Sequence, residues 1–194
     1  MNHIAHAHDK HETAQLGFWL YLMTDLMLFA GLFATYMVLR GGTAGGPTAA
    51  ELFDPTFALS ETIVLLLSSF TCGIAALALR YKKQSLALWG LGLTIALGLV
   101  FLALEMKEFA EFYSEGHTWQ ASAFLSSFFT LVGTHGLHIS IGLVWASTLL
   151  GYLIRSPHHD DAHRKMSLFA LFWHFLDIIW VFIFTIVYLL GVLS

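Results

Sequence analysis

Apolar residues run through the chain in five long stretches, and shorter segments between them carry most of the charged and turn-forming residues. Each stretch is long enough to cross a hydrocarbon core of about 30 Å as a helix rising about 1.5 Å per residue. Lipid cannot satisfy free backbone N–H and C=O groups, so each stretch is predicted to be a transmembrane helix. The pattern predicts an all-α, integral membrane bundle of five transmembrane helices. The predicted spans are 17–40, 56–80, 86–108, 122–154 and 167–192.

The polar segments predict the domain organisation and the orientation. Residues 1–16 form a polar, histidine-rich tail, predicted to be a disordered, solvated, cytoplasmic end of the chain, and residues 17–194 form one membrane domain. Segment 41–55 is rich in glycine and proline, which predicts a turn. Seven of the nine Lys and Arg residues lie in or beside the tail and the links 81–85 and 155–166. Cytoplasmic loops carry the excess of Lys and Arg, so we predict the N-terminus inside and the C-terminus outside.

Composition supports the membrane assignment. Hydrophobic residues make up 57% of the 194 residues and charged residues 11%, against about 25% charged in a typical soluble domain. The net charge is −4, and the basic residues form no dense cluster, which argues against a nucleic-acid partner. The one cysteine, Cys72, lies in an apolar stretch and is interpreted as a small buried residue.

Asp25 lies inside the first predicted span, 8 residues from its start at Gly17, which corresponds to a depth of about 12 Å. An ionisable residue in a membrane span is costly and usually faces a partner helix or a cavity. Two interpretations are open. Asp25 is either a protonatable group on or near a proton path, or a hydrogen-bonded contact between two helices.

Two histidine-containing pairs also lie within predicted spans. His135 and His138 are three residues apart and therefore share one face of the fourth helix. They could ligate a metal, but no second pair with ligand spacing accompanies them, and glycines surround them. Small residues and histidines are typical of close helix contacts in membranes, so a buried packing role is favoured. His174 and Asp177 share a face of the fifth helix at a depth similar to that of Asp25, and whether Asp25 contacts either is open.

Three glutamates, Glu61, Glu105 and Glu108, lie towards the ends of the second and third predicted spans. Carboxylates at such positions can reach interfacial water, so we expect them to be solvated. The alternative is contact with a lipid headgroup or with a partner subunit.

Three segments resemble the signature stretches of haem–copper oxidase subunit III. They are residues 19–36, residues 131–142 with the motif GTHGLH, and residues 172–191 with the motif WHFLDIIW. The stretch 61–69 and the pair Glu105 and Glu108 also fit, so the resemblance extends from Gly17 to Gly191. Cytochrome c oxidases of the family often have two further N-terminal helices and a glutamate at the position of Asp25. In both respects the sequence is more similar to the cytochrome o (bo-type) ubiquinol oxidases.

The resemblance implies a non-catalytic subunit with no redox centre, metal or active site of its own. Haems and copper are expected in subunit I, the direct partner, with subunits II and IV completing the complex and with phospholipid bound. The complex would oxidise ubiquinol, reduce O2 to water and pump protons across a bacterial inner membrane. Asp25 matches the family carboxylate that reacts with hydrophobic carbodiimides, and the subunit would stabilise subunit I and support proton uptake.

Other functions fit parts of the pattern. The chain could be subunit III of a cytochrome c oxidase or a nitric-oxide-reductase-associated relative, and the electron donor would distinguish these. Inverted repeats or a helix broken at mid-membrane would favour a stand-alone proton or small-molecule transporter, and the sequence shows neither feature. A membrane metalloenzyme using His135, His138 and His174 would hold stoichiometric metal.

Overall fold

The computed structural model describes residues 2–155 and 159–193, and within these ranges the chain is helical apart from its turns. The helices are α1 (Asn2–Leu39), α2 (Ala49–Leu52), α3 (Pro55–Arg80), α4 (Gln84–Ser114), α5 (Ala123–Arg155), α6 (His159–Ile183), a π-helical segment (Phe184–Leu189) and α7 (Leu190–Leu193). Five regions of the described chain are long and apolar enough to cross a membrane, which confirms the predicted all-α architecture. They are Gln15–Leu39, Pro55–Arg80, Gln84–Ser114, Ala123–Arg155 and Asp161–Leu193.

Four of the long helices form the central bundle. α3 and α4 make a hairpin through a short turn, α4 packs on α5, α5 packs on α6, and α6 packs back on α3. The remaining long helix, α1, lies against α5 and α6. The position of α1 brings its buried face, including Asp25, towards the histidines of α5.

Polar groups fix the ends of the helices. The Asp54 side chain accepts a hydrogen bond of 2.9 Å from the backbone N–H of Thr56, and Pro55 occupies the first helical position of α3. The Gln84 side chain donates to the backbone carbonyl of Leu153 at 2.8 Å, which joins the start of α4 to the end of α5. The contact of Gln84 holds the α3–α4 turn against the end of α5.

The structure corrects several predicted boundaries. The prediction of a disordered tail is wrong for residues 2–16, which continue α1 as a helix. These residues contain no glycine or proline, so the membrane helix extends into them without a new nucleation step. α4 runs six residues beyond the predicted end at Glu108, and the predicted turn segment 41–55 contains the short helix α2. Residues 156–158 of the predicted link 155–166 lie outside the described residues.

Trp173 occupies the centre of the four-helix bundle. Its Nε1 donates to the hydroxyl of Ser68 on α3 at 3.1 Å. Gly98 on α4 and Gly142 on α5 both approach the indole closely, since a Cβ at either position would come within 3.0 Å of its ring atoms. The bundle therefore accommodates its large central side chain through the absence of side chains on two neighbouring helices.

Candidate functional site

Asp25 of α1 and His138 of α5 meet across the contact between their helices. Asp25 Oδ2 lies 3.6 Å from His138 Nε2, and both side chains are largely buried. This separation is longer than a hydrogen bond but within the range of an electrostatic contact. The structure thus pairs the buried carboxyl of the first span with a base on a neighbouring helix.

The backbone of α5 determines which nitrogen of His138 faces Asp25. His138 Nδ1 lies 2.7 Å from the backbone carbonyl of Thr134. A carbonyl oxygen only accepts hydrogen bonds, so Nδ1 carries the hydrogen and donates it to Thr134. Nε2 is therefore the nitrogen that faces the Asp25 carboxyl.

The structure answers the open question of what Asp25 contacts. Asp25 contacts His138 of α5 and also interacts with Tyr21, one turn earlier on α1. His174 instead lies on α6 with Nε2 near the backbone of Gly73 on α3. His174 also lines an apolar groove between α1 and α6, and Asp177 is partly buried one turn further along α6. The sequence predicts that these residues lie at a similar depth in the membrane. It does not predict the rotation of α1 about its axis, and that rotation determines which residue Asp25 contacts.

His135 is fully buried, and its surroundings are aromatic. Its ring lies 5.2 Å from that of Trp180 and makes an edge-to-face contact of 6.0 Å with Phe101. Neither ring nitrogen has a hydrogen-bond partner among the described residues. Within residues 2–155 and 159–193, no group of three or more His, Cys, Asp or Glu side chains is arranged to hold a metal ion.

The three glutamates form a buried cluster, so the expectation that they are solvated is wrong. Glu61 of α3 and Glu105 and Glu108 of α4 expose 0%, 1% and 5% of their surface. Their carboxyl groups are close enough to interact electrostatically. Burial inside the bundle also leaves these side chains almost no surface for contact with a lipid headgroup or a partner subunit.

Local features of three helices build this cluster. The Tyr188 hydroxyl donates to Glu108 Oε2 at 2.6 Å, and Tyr188 lies in the π-helical segment, where the N–H of Leu190 donates to the carbonyl of Thr185. The Glu105 carboxyl packs directly on Gly136 of α5, where a Cβ would lie 2.5 Å from Oε1. A π-helical turn is frequent at functional sites because it re-aims side chains, and here it aims Tyr188 at Glu108.

Sequence reasoning missed the cluster because it ended the third span at Glu108. The helix continues to Ser114, so Glu105 and Glu108 face the bundle rather than its rim. A signal was present in the sequence. Phe101 and Phe112 lie four residues before Glu105 and four residues after Glu108, and both are buried on the same side of α4.

Replacing His138 tests the contact between α1 and α5. We expect His138→Leu to lower the thermal stability of the purified protein, since it removes the partner of the buried Asp25 carboxyl on α5. The control is His117→Leu, which removes a histidine that lies 3.9 Å from an exposed glutamate outside the predicted spans. Thermal unfolding in detergent measures both variants. A melting temperature for His138→Leu equal to that of His117→Leu would contradict the contact.

Comparison with known proteins places the chain among respiratory oxidase subunits. A profile of the family described as cytochrome c oxidase subunit III matches residues 2–192. Cytochrome bo(3) ubiquinol oxidase subunit 3 of Pseudomonas putida is 48% identical over 186 residues, covering 96% of this chain and 90% of that protein. The subunit of the same name from Pseudomonas aeruginosa is 47% identical, covering 97% of this chain and 90% of that protein. A probable quinol oxidase subunit 3 of Staphylococcus epidermidis is 43% identical, covering 98% of both chains.

Proposed function

Because the chain belongs to the cytochrome c oxidase subunit III family, we propose that it is the non-catalytic subunit III of a proton-pumping haem–copper terminal oxidase that oxidises ubiquinol and reduces O2 to water. The observation that carries the choice of quinol is the similarity, over nearly the whole chain, to subunits named for quinol oxidases. The redox chemistry then belongs to subunit I, where the haems and copper are expected. This chain contributes a helical bundle that stabilises subunit I.

The proposed setting is a bacterial inner membrane, with subunit I as the direct partner and subunits II and IV in the same complex. We place the N-terminus on the cytoplasmic side. The basic residues of the α3–α4 turn and of the α5–α6 link lie at the same end of the bundle as the start of α1, which supports this orientation.

The pair of Asp25 and His138 is the proposed proton-related site of the subunit. The pair lies well inside the first span, within a contact between two helices, and it can hold one transferable proton. A proton held beside subunit I would support proton uptake by the complex during sustained turnover. His135, His174 and Asp177 are assigned buried polar packing roles in the same bundle.

Purification through a tag on this chain tests the proposed complex. We expect haem to co-purify in mild detergent, with a reduced-minus-oxidised haem spectrum and with oxygen uptake driven by ubiquinol. Oxygen uptake driven only by reduced cytochrome c would assign the chain to a cytochrome c oxidase instead. A haem-free chain without partner subunits, under conditions that preserve membrane complexes, would contradict the oxidase function.

Asp25→Asn tests the proton role separately from assembly, because asparagine keeps the shape of the side chain and removes its titration. We expect subunit composition and haem content to be unchanged while oxygen uptake declines during sustained turnover. The control is Asp161→Asn, which removes an exposed carboxyl near the start of α6. If Asp25→Asn sustains turnover as long as the control, Asp25 is a structural contact only.

A further inference from the structure

A pocket with polar walls lies at the C-terminal end of α1, at the end of the bundle opposite the α3–α4 turn. Its volume is about 380 Å³, and its walls come from the end of α1, the link that follows, α2 and α7. No acidic side chain lines it within the part of the chain that the structure describes. Four lining residues carry hydrogen-bond donors on their side chains, namely Tyr36, Arg40, Thr43 and Thr48.

Arg40 gives the pocket a positive charge that the chain does not neutralise. Arg40 is exposed, and among the described residues it pairs with no acidic side chain. The two acidic residues nearest in sequence are engaged at helix starts. Glu51 accepts a hydrogen bond from the backbone N–H of Thr48 at 2.9 Å, and Asp54 caps α3. The guanidinium is therefore available to an anion from outside the chain.

Tyr36 adds a buried donor beside this charge. The side chain is fully buried against Phe124, and its hydroxyl has no hydrogen-bond partner among the described residues. The hydroxyl is close enough to Arg40 to interact with it electrostatically. Nearly all buried hydroxyls in native proteins have a partner, because an unsatisfied one is costly. We therefore expect an acceptor group at the inner end of the pocket, next to the guanidinium.

The surroundings of the pocket favour a protein as the source of that acceptor. Of the five spans in the described chain, the one in α1 is the least buried, with 22% of its apolar segment covered against 28–44% in the others. Met37 and Val38, which precede Arg40, are 44% and 81% exposed. Arginine is enriched at protein–protein interfaces, where it binds carboxylates through two parallel hydrogen bonds. The exposed end of α1 thus combines apolar surface with a site for a carboxylate.

We propose that this pocket binds a carboxylate of a partner subunit. An Asp or Glu side chain, or the C-terminal carboxylate, of that subunit accepts hydrogen bonds from the Arg40 guanidinium and the Tyr36 hydroxyl. The site is separate from the pair of Asp25 and His138, which belongs to the contact between α1 and α5. The inference rests on the proposed function only in that the chain has partner subunits, and it does not depend on the electron donor.

Arg40→Lys makes the proposed contact available to covalent trapping. A water-soluble carbodiimide activates a carboxylate, and the amine of a contacting lysine then displaces the activating group as a urea and forms an amide. The haem-containing complex is treated and digested, and linked peptides are identified by mass spectrometry. We expect residue 40 of the variant to be linked to a carboxylate of a partner subunit. The wild-type complex should lack this link, because the guanidinium does not react in this way.

Lys107 and Glu111 supply the positive control, since they lie 3.3 Å apart at the same end of the bundle and should be linked in every sample. If this control link forms while residue 40 is unlinked, or is linked only within its own chain, the proposal is overturned. Because the sample contains haem, that result would leave the proposed function standing.

Arg40→Gln measures what the contact contributes to assembly. Hydrogen bonds to a charged group are strong, so we expect the linked subunit to associate roughly tenfold more weakly with the variant complex. Retention of that subunit during dilution in detergent, followed by native mass spectrometry, is the measurement. The control is Lys107→Gln, which removes a cation from the same end of the bundle. Equal retention in both variants would overturn the assignment, as would loss of a bound lipid from Arg40→Gln with every subunit retained.

Discussion

Gly142→Val is expected to destabilise the subunit and to lower the yield of assembled complex. A Cβ at position 142 would lie 2.8 Å from Cζ3 of Trp173 and 3.1 Å from Cε1 of Phe172. The indole cannot move aside easily, because Trp173 is buried and donates a hydrogen bond to Ser68 on α3. Gly98 of α4 also approaches the same ring. Valine at this position therefore forces α5 away from α6, which costs about 1–3 kcal/mol.

The matched control for this variant lies on the same helix. Gly151→Val introduces the same β-branched residue into α5, but a Cβ at Gly151 meets no atom within 4 Å. Both variants share the intrinsic helical cost of the new side chain, so the difference between them reports the contact with Trp173. Yield of the assembled complex and its melting temperature in detergent are the measurements. If Gly142→Val assembles and melts like Gly151→Val, the packing described around Trp173 is incorrect.

A second substitution should rescue part of the loss. Trp173→Phe in the Gly142→Val background shortens the ring that valine contacts and removes the hydrogen bond to Ser68. We expect the double variant to assemble better than Gly142→Val alone, although below the wild type. Substitutions at two contacting residues do not have additive effects on stability. A double variant more stable than Gly142→Val alone would identify steric conflict with the Trp173 ring as the origin of the loss.

The sequence predicts the membrane spans well, because the energy of a charge in lipid is much larger than local helix preferences. The long apolar stretches, such as 56–80, correspond closely to observed helices, such as Pro55–Arg80. The ends were less predictable. Polar residues of 2–16 and 109–114 are compatible with helix, and hydropathy does not distinguish a helix that continues into water from a loop.

The polar interior was only partly predictable. Spacing along each helix predicts that Asp25 and His138 lie within their membrane spans, but the contact between them depends on how α1 rotates against α5. The three glutamates were misplaced for a different reason. Carboxyl groups near helix ends are usually solvated, whereas these three are buried in the core of the bundle among aromatic residues. Contacts between helices depend on the packing of many side chains at once, and this packing cannot be read from the spacing of residues along one sequence.

The buried hydrogen bond between Tyr188 and Glu108 should show strong non-additivity. Tyr188→Phe leaves Glu108 Oε2 buried without its donor, and Glu108→Leu leaves the Tyr188 hydroxyl buried without its acceptor. An unsatisfied buried polar group costs about 1–3 kcal/mol, so each single variant should have a clearly lower melting temperature than the wild type. When both groups are removed together, no unsatisfied partner of this bond remains. The double variant should therefore melt at a higher temperature than either single variant.

A nearby exposed pair on α4 provides the comparison for this cycle. Lys107 and Glu111 lie 3.3 Å apart, with 61% and 57% of their side chains exposed. Exposed ion pairs contribute about 0–1 kcal/mol, so Glu111→Gln should shift the melting temperature little. This contrast separates burial from sequence position, because Glu108 and Glu111 are one helical turn apart. Additive losses in the Tyr188 and Glu108 cycle would mean that the two side chains stabilise the bundle independently, and that the π-helical segment does not act by aiming Tyr188 at the cluster.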